Sequence, residues 1–391
     1  MCRRSCRAFS TPLTRARAGV LASLALRVAA ALAVPALAVA AGATSTTAPT
    51  TATAASATMT AVRFHEYGDA SQLRLERAPR PVPRAGQVLV RVRAASVNPY
   101  DWKFREGRLR AYVPATLPFT PGIDFAGVVE AVGQAGAATA PAAGGGAAAP
   151  SWQRGDEVYG FVAGAAPGAY AQYVVAEPAN LARKPASMSF EEAAAIPVAA
   201  LTAWKALYDF GGLEPQGARG RRLLVNGASG SVGLATIQLA KLAGLQVVAV
   251  ASARNQALMR RYGADATLDY RSQKVEPAVV PPVDLAIDTV DLATAAASAR
   301  VVRPGGVLVA MNVTPKPPEV PACSGAPPGL RCVQVPNFQP RPGVFQQVAA
   351  RVADGRLRME VGAVLPLADA AKAQELSRRG GTPGKIVLRV D

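Results

Sequence analysis

Histidine is almost absent from this chain: 391 residues hold one, His65. A nucleophilic triad built on an imidazole base, or a histidine-rich metal site, has little to be made from. Cysteine is scarce too. Cys2 and Cys6 lie at the start, Cys323 and Cys332 late, and no pair has the C-x-x-C spacing of a zinc knuckle. No uninterrupted apolar run is long enough for a stable membrane span; the longest candidate, 28–41, falls short of a bilayer-crossing helix. The first 58 residues contain no acid at all.

What the chain does have is hydrophobic substance and positive charge. Half of its residues are hydrophobic, which supports a sizeable core and about two ordinary domains at this length. The formal net charge is +17. The excess is spread as scattered arginines, such as Arg219, Arg221 and Arg222 or Arg378 and Arg379, with no basic stripe interleaved with stacking aromatics. That pattern reads as a solvated surface, with no nucleic acid expected as a partner.

Residues 1–58 divide the reading. An Arg-rich start, the apolar run 28–41 and the small-residue stretch Ala38-Val39-Ala40 resemble a secretory signal followed by a Thr/Ala tether, and imply export to the periplasm. Alternatively translation begins at Met59, where strand-like alternation starts at once, and the protein is cytoplasmic. An exported protein would allow Cys323 and Cys332 to pair, whereas a cytoplasmic one would keep them as thiols.

From 59 to 183 short strands and turns dominate. VLVRVRAASV (88–97) alternates as a half-buried strand should, and strands are expected within 122–133, 155–162 and 168–176. A low-complexity Ala/Gly insertion occupies 134–150. From 184 to 342 the character changes. A helical stretch (189–211) opens with the pattern of a capping box, Ser189 and Glu192. Strands at 222–227, 245–252, 266–270, 284–290 and 306–312 then alternate with helices at 231–243, 255–262 and 292–300. Such repetition predicts an α/β domain with a doubly wound parallel sheet. After the proline-rich segment 315–330, residues 343–391 are expected to return to the first domain.

The segment LLVNGASGSVGLATIQLAKLAG (223–244) carries the chemistry. An apolar strand ends at Asn226, and Ala228, Gly230 and Gly233 then take the three small-residue positions of a dinucleotide-binding turn. They allow the tight turn, the approach of a pyrophosphate, and helix–strand packing. The helix N–H groups from Ser231 and Val232 onward face the phosphates, and Val232, Ala235, Leu239 and Leu242 are expected on the inward face. The next strand ends in Ala251-Ser252-Ala253-Arg254-Asn255, without the acid that usually holds the ribose hydroxyls of NAD. Ser252 and Arg254 suit a 2′-phosphate instead, so the expected cofactor is NADPH.

With these residues, SVNPYDWKFREG (96–107), PGIDFAGVVEAVG (121–133) and GAYAQYVV (168–175) resemble the medium-chain dehydrogenase/reductase superfamily, in particular its zinc-free quinone oxidoreductase branch. The resemblance runs over nearly all of 59–391. It implies a GroES-like β-rich catalytic domain, a Rossmann domain, a cleft between them, a homodimer, and reduction of a small quinone or enone. Asn98 stands where zinc alcohol dehydrogenases carry a catalytic cysteine, and Ile123, within Gly122-Ile123-Asp124, where they carry a histidine ligand. Their four-cysteine lobe falls on the Ala/Gly insertion. The resemblance also implies that Asn98 and Asp101 line the nicotinamide cleft with Tyr100 close by, that Tyr270 lies near the 2′-phosphate, and that Lys385 contributes to cofactor binding. Turn formation, a structural ion pair and packing are the alternative roles for Asn98, Asp101 and Tyr100. A zinc alcohol dehydrogenase and a non-enzymatic nucleotide-sensing or nucleic-acid-binding protein are the alternative functions.

Overall fold

The computed structural model describes residues 57–134, 151–162, 166, 168–215, 217–311, 326–335 and 340–391. All but the last two residues of the leader expected over 1–58, nearly all of the Ala/Gly insertion, and Cys323 lie outside the described residues; Thr58 already belongs to the first strand.

In the first half, β1 (Thr58–Arg63) and β2 (Arg74–Pro79) form an antiparallel ribbon. The chain continues through β3 (Val88–Val97), the short helix α1 (Pro99–Arg105), β4 (Asp124–Val132), β5 (Glu157–Phe161), β6 (Tyr173–Ala176) and β7 (Leu181–Arg183). Strands β3, β4, β5 and β7 pair in that order, all antiparallel, with β6 along the first part of β3. The alternation expected of β3 is not a half-buried one: of its ten residues only Arg91 is exposed. A register shift between Val92 and Ala94 breaks the two-residue period. Val88, Val90, Val92, Ala95 and Val97 then face one core, and Ala94 joins the cluster on the other side.

The helical stretch that follows divides at Pro197 into α2 (Phe190–Ala194) and α3 (Pro197–Trp204), the latter running on as a π-turn over Lys205–Phe210. Ser189 and Glu192 do form the capping box: the Glu192 N–H donates to Ser189 Oγ at 3.1 Å, and the Ser189 N–H to Glu192 Oε2 at 2.8 Å.

Then come β8 (Arg222–Asn226), α4 (Ser231–Leu242), β9 (Gln246–Ala251), α5 (Gln256–Arg261), β10 (Ala266–Asp269), α6 (Val275–Ala278), β11 (Val283–Asp288), α7 (Leu292–Arg300), β12 (Val302–Ala310) and β13 (Arg331–Gln334). They build an all-parallel sheet in the order β10-β9-β8-β11-β12-β13. Its strand order reverses between β8 and β11, the place where doubly wound sheets open a crevice at their carboxyl ends. Helix α4 is more enclosed than an amphipathic surface helix. Leu234, Ala235, Ile237, Leu239 and Ala240 are all buried, because the sheet covers one flank and α3 another. Leu242, expected on the inward face, is exposed at the last turn, beyond that cover. Cys332 on β13 is disulfide-bonded; the other cysteines lie outside the described residues.

Helix α8 (Val344–Ala353) buries Val344, Phe345, Val348 and Val352 in the core that also holds Trp204 and Ile237. The chain then runs through β14 (Val361–Pro366), α9 (Ala370–Arg379) and β15 (Lys385–Arg389). Strand β15 lies between β14 and β3, antiparallel to β3 with Ile386 opposite Val97, so this segment completes the first sheet. Among the described residues, no helix is long and apolar enough to cross a membrane.

Candidate active site

The glycine turn follows β8. Its left-handed residue is Gly227, with φ +74°, one position before the first small residue of the pattern, Ala228. A Cβ at Gly227 would also lie 2.2 Å from Thr289 Oγ1. Ala228 is instead buried, its N–H donating to the Val250 carbonyl at 3.1 Å. Gly233 is required by packing: a Cβ there would stand 2.5 Å from Gly227 O and 2.6 Å from Ala228 Cα. Gly230 differs. It caps α4 with φ −75°, and an added Cβ would meet nothing nearer than Gly227 O at 3.4 Å. The protein itself does not demand a glycine there, so the space in front of it suits a group approaching from outside. The N-terminal N–H groups of α4, from Ser231 and Val232 on, begin at this point and favour an anion. A nicotinamide dinucleotide therefore fits this turn.

The adenosine end is set by register. Asp269 of β10 pairs with Ala251 of β9, so Ser252 and Tyr270 follow directly from neighbouring strand ends. Ser252 is buried and accepts from Asn255 Nδ2 at 3.3 Å. Tyr270 is exposed, with the Arg271 guanidinium 5.7 Å from its ring centre. Arg254 donates to the Gly381 carbonyl at 2.8 Å. No carboxylate stands at residues 251–255.

The second part of the site is a buried polar cluster in the first sheet. Asn98 precedes α1 in extended conformation, and Pro99 occupies the first helical position, where no N–H is needed. Its side chain is engaged at both ends. Lys385 Nζ donates to Asn98 Oδ1 at 2.5 Å, and Asn98 Nδ2 donates to Asp124 Oδ2 at 3.0 Å. Lys385 and Asp124 also pair at 3.4 Å, with side chains only 3% and 0% exposed. Asp124 further accepts from Ser96 Oγ at 2.7 Å and from the Val198 N–H at 2.8 Å. A buried charge pair of this kind persists only when its remaining valences are satisfied, as here.

Asp101 joins from α1. Its Oδ2 accepts from the Asn98 N–H at 2.7 Å and from the Tyr170 hydroxyl at 3.1 Å, whereas Oδ1 has no partner. Burial pushes its carboxyl up to about 7, and Asp124 adds to the push; the Asn98 N–H, Tyr170 and Lys385 pull the other way. Tyr100 and Asp101 line a narrow recess with Phe104, Phe119 and Ile123. Tyr100 stacks on Phe104 at 5.6 Å, and burial followed by the charge of Asp101 raises its phenol above the usual value.

The fold thus brings Asn98, Tyr100 and Asp101 together and gathers Ser252, Arg254 and Tyr270 at the end of the parallel sheet. Lys385, expected at the cofactor, points its ammonium at Asn98. Three participants, Ser96, Asp124 and Tyr170, were not singled out from the sequence, although each lies inside a segment quoted for its resemblance. The lone His65 pairs with Glu76 at 3.0 Å at the surface. Among the described residues, no group of three or more His, Cys, Asp and Glu is placed to hold a metal ion. Many arginines are engaged locally, for example Arg183 with Asp156, Arg300 with Glu276 and Arg303 with Asp284.

A family model described as an alcohol dehydrogenase GroES-like domain matches residues 84–186, and one described as a zinc-binding dehydrogenase matches residues 262–388. The chain is 36% identical over 217 residues to the chloroplastic quinone-oxidoreductase homolog of Spinacia oleracea, a match covering 55% of this chain and 62% of that one, less than two thirds of the relative's length. It is 33% identical over 343 residues to the chloroplastic NADPH-dependent alkenal/one oxidoreductase of Arabidopsis thaliana, covering 84% of this chain and 79% of the relative. The solved quinone oxidoreductase of Coxiella burnetii superposes with a TM-score of 0.70 at 29% identity, over 86% of this chain and all of that one. On this combined ground of matched domains, extended identity and shared fold, the chain belongs to the medium-chain dehydrogenase/reductase superfamily.

Proposed function

We propose that this protein is an oxidoreductase that uses NADPH, without zinc, to reduce a quinone or an α,β-unsaturated carbonyl compound. The observation that carries the proposal is the junction of the two halves of the site. Gly384 donates its N–H to the Ser229 carbonyl of the glycine turn at 2.8 Å, and the next residue, Lys385, reaches Asn98. A nucleotide on the turn and a carbonyl compound beside Asn98 would therefore be neighbours. The preference for NADPH rests on Arg254 and Ser252 at a strand end without an acid. Zinc independence rests on Asn98 and Ile123 at the positions of ligands in zinc enzymes. The similarity to a spinach quinone-oxidoreductase homolog and an Arabidopsis alkenal/one oxidoreductase supports the substrate class.

NADPH, when bound, supplies the hydride. The residues of the chain orient the acceptor and stabilise what forms on it. Negative charge develops on the carbonyl oxygen, and an Nδ2–H of Asn98, preorganised by Lys385 and Asp124, is a donor for it. The Tyr100 phenol, raised by burial, stays protonated at neutral pH and is a second donor. Phe104, Phe119 and Ile123 keep the recess apolar. The same reading includes a homodimer, located in the cytoplasm if synthesis starts at Met59 and exported if the leader is a signal.

The test is the loss of NADPH absorbance by the full chain with a small quinone and a small enone supplied separately, NADH as the control, and a zinc chelator in a parallel run. Turnover is expected with NADPH, about tenfold or more weaker with NADH, and unchanged by the chelator. Bound NADPH with neither acceptor reduced would overturn the substrate class, and equal use of NADH would overturn the cofactor assignment.

A further inference from the structure

Lys385 is a buried ammonium for which the dinucleotide site has no evident use. Its Nζ contacts Asn98 Oδ1 at 2.5 Å and Asp124 Oδ2 at 3.4 Å. We propose that Lys385 is a positioning residue that locks the Asn98 amide in one orientation, and that it does not bind a cofactor phosphate. The proposal rests on the reading of Asn98 as the donor to the substrate carbonyl.

The chemistry of the three groups leaves one arrangement. An ammonium has only hydrogens to offer, so the Asn98 atom facing it must be oxygen. A carboxylate has only lone pairs, so the Asn98 atom facing Asp124 must be nitrogen. The amide of an asparagine is otherwise free to turn over, which exchanges a donor for an acceptor at the same point in space. Here a half-turn would set nitrogen against the ammonium and oxygen against the carboxylate, and both contacts would become repulsive. Asp124 takes one of the two Nδ2 hydrogens; the other is fixed in direction and is the one a carbonyl oxygen would meet. The ammonium at Oδ1 also withdraws charge through the amide and strengthens that N–H as a donor. Asp124 is itself immobilised by Ser96 and the Val198 N–H, so the lock has a rigid base.

The backbone shows why this lysine is well placed for the task. Gly384 lies against Gly230 in a parallel bridge and donates to Ser229. Gly384 adopts φ +66°, and a Cβ there would stand 2.2 Å from the Glu360 carbonyl. The turn is therefore close-packed and the strand leaves it in a fixed direction. Lys385 is the first residue of β15, its own N–H held by Glu360 O at 2.9 Å. The register of the glycine turn is thus handed to Asn98 through two residues.

The experiment compares Lys385→Met, Lys385→Gln, Asn98→Ala and the Asn98→Ala/Lys385→Met pair. Affinity for NADPH and NADH is read by quenching of protein fluorescence, and kcat and KM by NADPH oxidation. We expect Lys385→Met to lower kcat about tenfold or more, short of the roughly hundredfold or greater loss of deleting a preorganised donor, with NADPH affinity changed less than about twofold. Lys385→Gln, which can still donate to Oδ1, recovers part of that loss. The pair is no slower than Asn98→Ala alone, because the lysine acts only through the asparagine; a merely structural lysine would give losses that multiply. Weakened NADPH binding with NADH binding unchanged would overturn the proposal and make Lys385 a phosphate ligand. If Lys385→Met, which strands the Asp124 charge, does not fold, Lys385→Gln carries both readouts. If the wild-type protein binds NADPH but reduces neither acceptor, the proposed function fails. The binding comparison still decides on Lys385, since loss of NADPH affinity sinks the positioning role.

Discussion

Tyr170 donates its phenol hydrogen to Asp101 Oδ2 at 3.1 Å, and both side chains are buried. The same oxygen also takes the Asn98 N–H, while Oδ1 is buried without a partner. The groups around it are Tyr100 on its own helix, Asp124 on β4, Lys385 on β15 and Tyr170.

This carboxyl should mark the pH dependence of the protein. Burial holds it up at about 7, against about 4 in an unfolded chain. The neutral form is favoured by the fold, so its stabilising effect is fully present below about pH 4 and is lost as pH rises through about 7. Asp101→Asn removes the titration and keeps an acceptor for the two donors. Relative to that variant, the melting temperature of the wild type should fall between pH 4 and pH 8. Parallel curves for the two proteins would show that the carboxyl ionises normally.

The three small positions of the turn should separate by mechanism. Gly233→Ala forces a methyl group onto Gly227 and Ala228, and should cost about 1–3 kcal/mol in denaturant unfolding. Gly230→Ala would make no more than an ordinary contact, with Gly227 O at 3.4 Å, so its unfolding midpoint should change little. Its affinity for NADPH should nonetheless drop about tenfold, as expected if the pyrophosphate lies against that glycine. Intact binding in a folded Gly230→Ala protein would remove the dinucleotide from the turn.

Arg254 should discriminate between nucleotides. Its guanidinium is held by the Gly381 carbonyl and stands near the exposed Tyr270 end of the sheet. Arg254→Ala should weaken NADPH by about tenfold or more, the worth of one charge-assisted hydrogen bond, and leave NADH alone. Titrating both nucleotides into the two proteins checks this directly.

The capping box at α2 is a purely structural counterpart. Ser189→Ala leaves the Glu192 N–H without its acceptor and should cost about 1 kcal/mol in unfolding free energy.

Much of this architecture can be read from the chain. Strands β8 to β12 stand within a few residues of the apolar runs that suggest them, because a buried parallel strand is written as a continuous apolar segment. The Ser189 cap and the start of α4 are local chemistry and equally legible. What escapes the sequence is whatever depends on distant partners. Asp124 gains its importance only when β4 pairs with β3 and sets it beside Ser96 and Asn98. Lys385 is brought to Asn98, 287 residues away in sequence, by the pairing of β15 with β3, so no local pattern foretells its direction. Gly227 has no room for a Cβ because Thr289 stands against it, and that neighbour comes from the loop after β11.

The position of β15 in its sheet carries a consequence for synthesis. Strand β6 covers Val88–Arg91 of β3, but the adjoining Ala94–Val97 stretch waits for Ile386–Arg389. At ribosomal speeds of 5–20 residues per second, roughly 15–60 s pass between the emergence of these partners. Throughout that interval a hydrophobic strand offers unpaired backbone groups to any neighbouring chain. The arrangement that finishes the candidate site thus keeps one edge of β3 open until the end of synthesis, and yield on expression should suffer more than final stability when the last strand is delayed.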